Sequence, residues 1–120
     1  MARYDFIACY IMANRQNGTL YVGVSSDLLP RIYLHRNGLV DGYTKKYGCK
    51  MLVWWEQFGD MRSAIAREKK IMNWRRIWKM ELIEKMNLQW RDLYIDLTSP
   101  KLPDAPSALD DPEGPEKPTR

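Results

Sequence analysis

Residues 21–38 read Tyr21-Val22-Gly23-Val24-Ser25-Ser26-Asp27-Leu28-Leu29-Pro30-Arg31-Ile32-Tyr33-Leu34-His35-Arg36-Asn37-Gly38. They decide the fold, because a strand turns into a helix within them. Leu20, Val22 and Val24 alternate with Thr19, Tyr21 and Gly23, the period of a strand with two unlike faces. Ser25, Ser26 and Asp27 then offer side-chain oxygens to the free N–H groups of a helix start. Pro30 falls in the first turn, where a missing N–H costs little, and Asn37-Gly38 supplies the stop. Arg31 and His35 lie four residues apart, so they share one face of this short helix. A cationic and a proton-carrying side chain stacked directly after an aromatic-bearing strand look like a site.

Toward the N-terminus, Phe6 to Ala13 predicts a first strand and Asn14-Arg15-Gln16-Asn17 a turn, with Gly18 opening the second strand. Closing the hairpin on those turn residues sets Ala13 opposite Gly18 and Tyr10 opposite Tyr21. Both tyrosines then share a face with Ala8, Thr19 and Gly23. The other face, with Ile7, Cys9, Ile11, Leu20, Val22 and Val24, is uniformly apolar and is the better candidate for the core. The tyrosines fit two readings, packed aromatics with satisfied hydroxyls or residues of a site.

Toward the C-terminus, Leu39 to Lys50 predicts a flexible basic loop, with Gly42 and Gly48 around Tyr43, Lys45, Lys46 and Tyr47. Lysine beside aromatic is the composition of a surface that grips phosphates and stacks bases, though an ordinary surface loop carries the same residues. Met51 to Phe58 is the third strand. A helix over 61–73 places Met61, Ala64, Ile65, Ile71 and Met72 on an apolar stripe, which Glu68 interrupts. A buried unpaired carboxylate is costly. Glu68 therefore either makes an internal ion pair with an arginine or lines a cleft and holds a cation. Arg62, Arg67, Lys69 and Lys70 make the rest of that helix basic. Ile77 to Met86 predicts another helix with Trp78, Leu82 and Met86 in its stripe, and 88–97 a closing segment whose Trp90, Leu93 and Tyr94 cap the core. Six of the seven prolines come after Ser99 with few apolar residues, so 99–120 reads as a disordered acidic tail on a single domain over 1–98.

Composition sets the outer limits. A chain of 120 residues, 45% hydrophobic with five tryptophans, can bury one small core. No stretch is apolar enough to span a membrane, and the N-terminus shows no basic-then-apolar signal segment. Cys9 and Cys49 form no close-spaced metal motif and read as free thiols, which places the protein in the cytoplasm. The net charge is +4; residues 99–120 hold three basic side chains against five acidic ones, so residues 1–98 carry +6. A basic, aromatic-rich domain suits nucleic acid.

Ala8-Cys9-Tyr10 and Tyr21-Val22-Gly23, followed in order by Asp27-Leu28, Arg31, His35, Gly38 and Arg67-Glu68-Lys69, resemble the GIY-YIG nuclease superfamily in its small stand-alone, UPF0213-like branch. The similarity covers roughly residues 5–95. It implies an α/β fold of the α+β type, a small three-stranded antiparallel sheet flanked by helices. It also implies a divalent-metal-dependent endonuclease acting on DNA, or alternatively RNA, in repair, recombination or mobile-element processing. Under the resemblance Glu68 matches the ligand of Mg2+ (or Mn2+), Arg31 the catalytic arginine, Tyr10 and Tyr21 the motif tyrosines, and His35 a histidine of many members. Tyr43, Lys45, Lys46, Tyr47, Lys50, Arg67 and Lys69 are the candidates for nucleic-acid contact.

The residue types suit the chemistry. Phosphodiester hydrolysis needs an activated water, charge relief on the phosphate and help for the leaving oxygen. A carboxylate-bound Mg2+ keeps several waters and can polarise a phosphate oxygen, and an arginine forks onto phosphate as lysine cannot. Tyrosine as a general base needs cationic neighbours, and Tyr21, which leads directly into the helix bearing Arg31, is favoured over Tyr10. His35 would orient or replace it. The chain departs from the family in Ala8-Cys9, where glycine and isoleucine stand, and in Val24, where some members carry lysine; neither Asn73 nor Asn87 matches the downstream asparagine well.

The alternative is a nucleic-acid-binding module on the same fold with weak or no cleavage, and a third reading is an interaction protein docking through its proline-rich tail. A thiol enzyme built on Cys9 and His35 is disfavoured, since Cys9 faces the apolar side. The chain is expected to be a monomer or weak dimer. With no second DNA-binding domain, specificity falls to a protein partner or to the substrate's own shape.

Overall fold

All six residues of the first strand, β1 (Ala8–Ala13), are buried, because β1 is the middle strand of a sheet covered on both faces. The computed structural model of the chain describes residues 6–99. Within them β1 is followed by β2 (Leu20–Ser25), α1 (Leu28–Arg36), α2 (Tyr43–Tyr47), β3 (Met51–Gln57), α3 (Met61–Met72), α4 (Arg76–Met86) and α5 (Leu93–Thr98). The three strands pair antiparallel in the order β2-β1-β3. Of the predicted tail over 99–120 only Ser99 is described, capping α5 with its N–H on the Ile95 carbonyl at 3.0 Å; the rest lies outside the described residues.

The sheet has a core on each side. Cys9, Ile11, Ala13, Val22, Val53 and Trp54 pack with Ile71 of α3, Ile83 of α4 and Trp90. Ala8, Tyr10, Met12 and Leu52 pack with Leu28 and Ile32 of α1, Cys49, and Leu93 of α5. The sequence nominated the first face alone. The second is buried as well, since the helices after β2 and at the end of the chain both return to it. A bulge between Ile11 and Met12 in the β1–β3 pairing sends both Val53 and Trp54 to the first core.

Four further expectations are corrected. The hairpin closes one residue later than the turn composition suggested: Asn14 N–H donates to the Thr19 carbonyl at 3.3 Å, and Thr19 N–H donates to Asn14 Oδ1 at 2.9 Å. Asn17 takes a left-handed φ of 58°, which asparagine tolerates, so the turn is Arg15–Gly18. Tyr10 therefore faces Gly23 and Met12 faces Tyr21, a two-residue shift that leaves both tyrosines on one face.

The stretch read as a flexible loop contains α2. Its bounding glycines, Gly42 at φ 119° and Gly48 at φ 67°, end a helical turn rather than loosen a loop. In α4 the stripe is turned: Trp78 and Met86 are exposed and Ile83 is the buried residue. Trp78 finds its contacts outside the core, edge-on to Trp74 at 6.4 Å and under the Arg75 guanidinium at 5.6 Å. In α3, Ala64 and Ile71 are buried as predicted, whereas Met72 is exposed.

Candidate active site

The site is built on Gly23. A Cβ there would lie 2.7 Å from both Cζ and the hydroxyl of Tyr10 and 2.9 Å from Cε2 of Tyr21, so only glycine lets both rings approach β2. Tyr10 is buried beneath them and Tyr21 is half-buried, with ring centroids 6.3 Å apart. From α1, Leu28, Ile32 and His35 form the buried stripe, and His35 is only 2% exposed. Its Nε2 lies 3.0 Å from the Tyr10 hydroxyl and its Nδ1 2.9 Å from Thr44 Oγ1 of α2. Arg31, one turn earlier, is exposed. The two residues are close enough for charge to act between them, but they do not present a shared solvent-facing pair.

Electrostatics tie these groups together. Burial, and then the Arg31 charge, push the His35 imidazole down to about 4, so near neutrality one ring nitrogen donates and the other accepts. Burial is also the main reason that the Tyr10 phenol is pushed well up; Tyr21 adds to this, Arg31 opposes it, and Glu68 contributes the weakest push. Tyr10 thus remains a phenol. A neutral His35 whose Nδ1–H donates to Thr44 would accept the Tyr10 proton at Nε2, and the reverse tautomer would run the chain the other way.

Glu68 arrives from the other layer. It lies on the face of α3 that carries Ala64 and Ile71 and is half-buried. Its charge bears on Cys9 as well as Tyr10: burial and then Glu68 raise the Cys9 thiol to about 12. Among the described residues no cation stands within ion-pair distance of Glu68. Nor do three His, Cys, Asp or Glu side chains gather there into a metal cluster. Its neighbour Arg67 is otherwise engaged, with Nε 3.0 Å from Glu56 Oε1 and its guanidinium over the Trp54 and Trp74 rings at 5.8 and 5.5 Å. Of the cations nominated for phosphate contact, Arg67 and Lys45 already stand beside a carboxylate, Arg67 half-buried against Glu56 and Lys45 in an exposed pair with Asp41.

An aromatic run leads outward from this centre. Tyr21 stacks on Tyr43 at 6.0 Å and 30°, and Tyr43 meets Tyr47 at 4.7 Å. Lys46 lies over the Tyr47 ring at 5.4 Å, and Lys45 is 3.5 Å from Asp41. Tyr43, Lys45, Lys46, Tyr47 and Lys50 are all exposed, as is Lys69 on α3. Thr44, the partner of His35, escaped sequence reasoning, because a threonine inside a presumed loop carries no signal of burial. Asn87 also resolves: it ends α4, donating from Nδ2 to the carbonyls of Val53 and Arg91 and accepting the Arg91 N–H, and so belongs to the frame.

Residues 6–81 match the model of the GIY-YIG catalytic domain. The chain belongs to the GIY-YIG family. GIY-YIG domains are typically nucleases that generally use divalent metals, and a nuclease domain implies a nucleic-acid substrate. A UPF0213 protein of Staphylococcus saprophyticus is 36% identical over 70 residues, 58% of this chain and 85% of that protein. Another, of Clostridium perfringens, is 35% identical over 71 residues, 59% of this chain and 76% of that one. The solution structure of a UPF0213 protein of Bacillus halodurans aligns over 78% of this chain and 99% of its own, at 23% identity and a TM-score of 0.47. No helix among the described residues of this GIY-YIG chain is long and apolar enough to cross a membrane.

Proposed function

We propose that this GIY-YIG domain is a divalent-metal-dependent endonuclease that hydrolyses phosphodiester bonds in DNA, with RNA the alternative polymer. Repair, recombination or mobile-element processing is the setting. One observation carries the reading: Glu68, half-buried on the face of α3 that carries Ala64 and Ile71, has no ion-pair partner among the described residues. A half-buried carboxylate with no cation beside it keeps its charge through the water that reaches it. One left unmatched suits a cation brought from outside.

The donor set fits Mg2+ or Mn2+, hard ions that are commonly held by one or two carboxylates together with water and substrate phosphate. Held by Glu68, such an ion would supply Lewis-acid charge relief to the phosphate. Arg31 presents a planar fork in solvent, suited to two-point contact with phosphate oxygens. Tyr21, half-buried at the mouth of the tyrosine pair, takes the role of general base. Tyr10 keeps its proton and, hydrogen-bonded to neutral His35, positions its neighbour. Tyr43, Tyr47, Lys45, Lys46 and Lys50 of the α2 region, with Lys69, grip the flanking strand. The two thiols are buried in opposite cores, unpaired, which supports a reducing compartment such as the cytoplasm.

Glu68→Gln tests this reading most directly, since it keeps shape and removes the charge. Plasmid nicking should fall by two orders of magnitude or more, about 2.7 kcal/mol in the barrier. The stabilising effect of Mg2+ on thermal melting should vanish, while DNA binding is kept or strengthened. A structural role predicts instead a metal-independent loss of about 3 kcal/mol in stability. A folded variant that nicks at the wild-type rate would refute the assignment. Wild-type protein that binds DNA and never cuts it would identify a binding module.

A further inference from the structure

A groove follows the open edge of β2, the outer strand beside β1. One part, a cavity of about 250 Å³, is lined by Leu20, Tyr21, Val22, Tyr43, Met72 and Lys79. A second part, of about 260 Å³, shares Leu20, Tyr43 and Lys79 and adds Thr19 and Arg76. The groove is therefore continuous with the tyrosine cluster at one end and cationic at the other. Met72, an apolar side chain at the end of α3, is 53% exposed beside the stacked rings of Tyr21 and Tyr43. Lys79 has no acidic partner within ion-pair distance among the described residues. Arg76 spends one nitrogen, Nη2, on the carbonyls of Asn17 and Gly18 and keeps its other donors.

An apolar slot against tyrosine with cations alongside matches the two halves of a nucleotide. Every base has a face that stacks on an aromatic ring, and every phosphate seeks a cation. We propose that this groove seats one nucleotide next to the scissile phosphate, its base against Tyr43 and Met72 and its phosphate at Lys79 and Arg76. Placing that nucleotide beside the cut rests on the nuclease reading; the base seat rests on the groove. Met72 and Lys79 then become determinants of which nucleotide is accepted there, Met72 through the base and Lys79 through the backbone.

The test is binding of an oligothymidylate strand, and of the same strand built from abasic sugars, to the full chain in EDTA so that nothing is cut. Met72→Ser lies at an exposed position and should leave melting unchanged. It should weaken the thymidylate by about fivefold and leave the abasic strand untouched. Lys79→Ala should weaken both strands alike and lower the salt slope of binding by about 1. Met72→Ser acting equally on both strands, or on neither, would overturn the base seat, and a cleavage assay on the same wild-type protein would show whether the nuclease reading survives it. The expected pattern in a chain that cuts no nucleic acid would support the seat and overturn the nuclease reading.

Discussion

His35 is the single histidine of the chain, and its burial gives it a signature in acid. Its pKa is lowered from 6.5 to about 4 on folding. Above 6.5 both states hold a neutral ring and proton linkage is nil. Between 6.5 and 4 only the unfolded ring binds the proton, so the unfolded state gains and stability falls as pH falls, by about 1.4 kcal/mol per pH unit. Denaturant melts between pH 6.5 and 5, where carboxylates stay ionised, should show that slope in the wild type and lose it in His35→Gln. A flat wild-type profile would mean that the ring is open to solvent. Arg31 is judged by the opposite criterion, because it is exposed and its loss should not unfold anything. Arg31→Lys keeps the charge and gives up the fork; the fold should be close to wild type and plasmid nicking at least about tenfold slower, near 1.4 kcal/mol. Unchanged nicking would reduce Arg31 to a surface charge.

At the scale of elements, Asp92 joins three of them. Its Oδ1 accepts the N–H of Leu52 in β3 and of Tyr94 in α5, each at 3.1 Å, and its Oδ2 pairs with Arg36 of α1, whose guanidinium also covers the Tyr94 ring at 4.7 Å. Asp92→Ala removes a helix cap and strands a strand amide together, and should cost about 2–3 kcal/mol in urea melts. Asp92→Asn, which can still accept both amides, should recover part of this. None of that was legible in the sequence, because it depends on residues far apart along the chain. What could be read was local. Alternation gave the strands, Asp27 and Gly38 bracketed α1, and the spacing of Ala64 and Ile71 gave α3. The expected side-chain cap of α1 is not made: Ser25 Oγ takes the Asp27 N–H, and Leu28 N–H donates to the Phe6 carbonyl. Five residues were too few for α2 to show a period, and Gly42 and Gly48 look alike as loop and as terminators. That both tyrosines share a face followed from parity alone. Which residue stands opposite which depended on Asn14 capturing the Thr19 amide, a choice that composition does not encode.

For the whole molecule, charge sets the next expectation. Residues 99–120 carry three basic side chains against five acidic ones. Ending the chain after Thr98 should raise DNA affinity at low salt and do so less as salt screens the difference. With so few apolar residues removed, the melting temperature should barely move; a large drop would show that those residues pack on the domain. The order of the strands has a consequence in time. During synthesis β1 and β2 leave the ribosome together and can pair through their turn. The other edge of β1, the most buried strand of the fold, has to wait for Met51–Gln57. Until then the nascent chain displays both tyrosine half motifs on a hairpin with a bare, apolar edge, the kind that invites another strand. The protein is therefore most exposed to mispairing after the hairpin is made and before the third strand emerges.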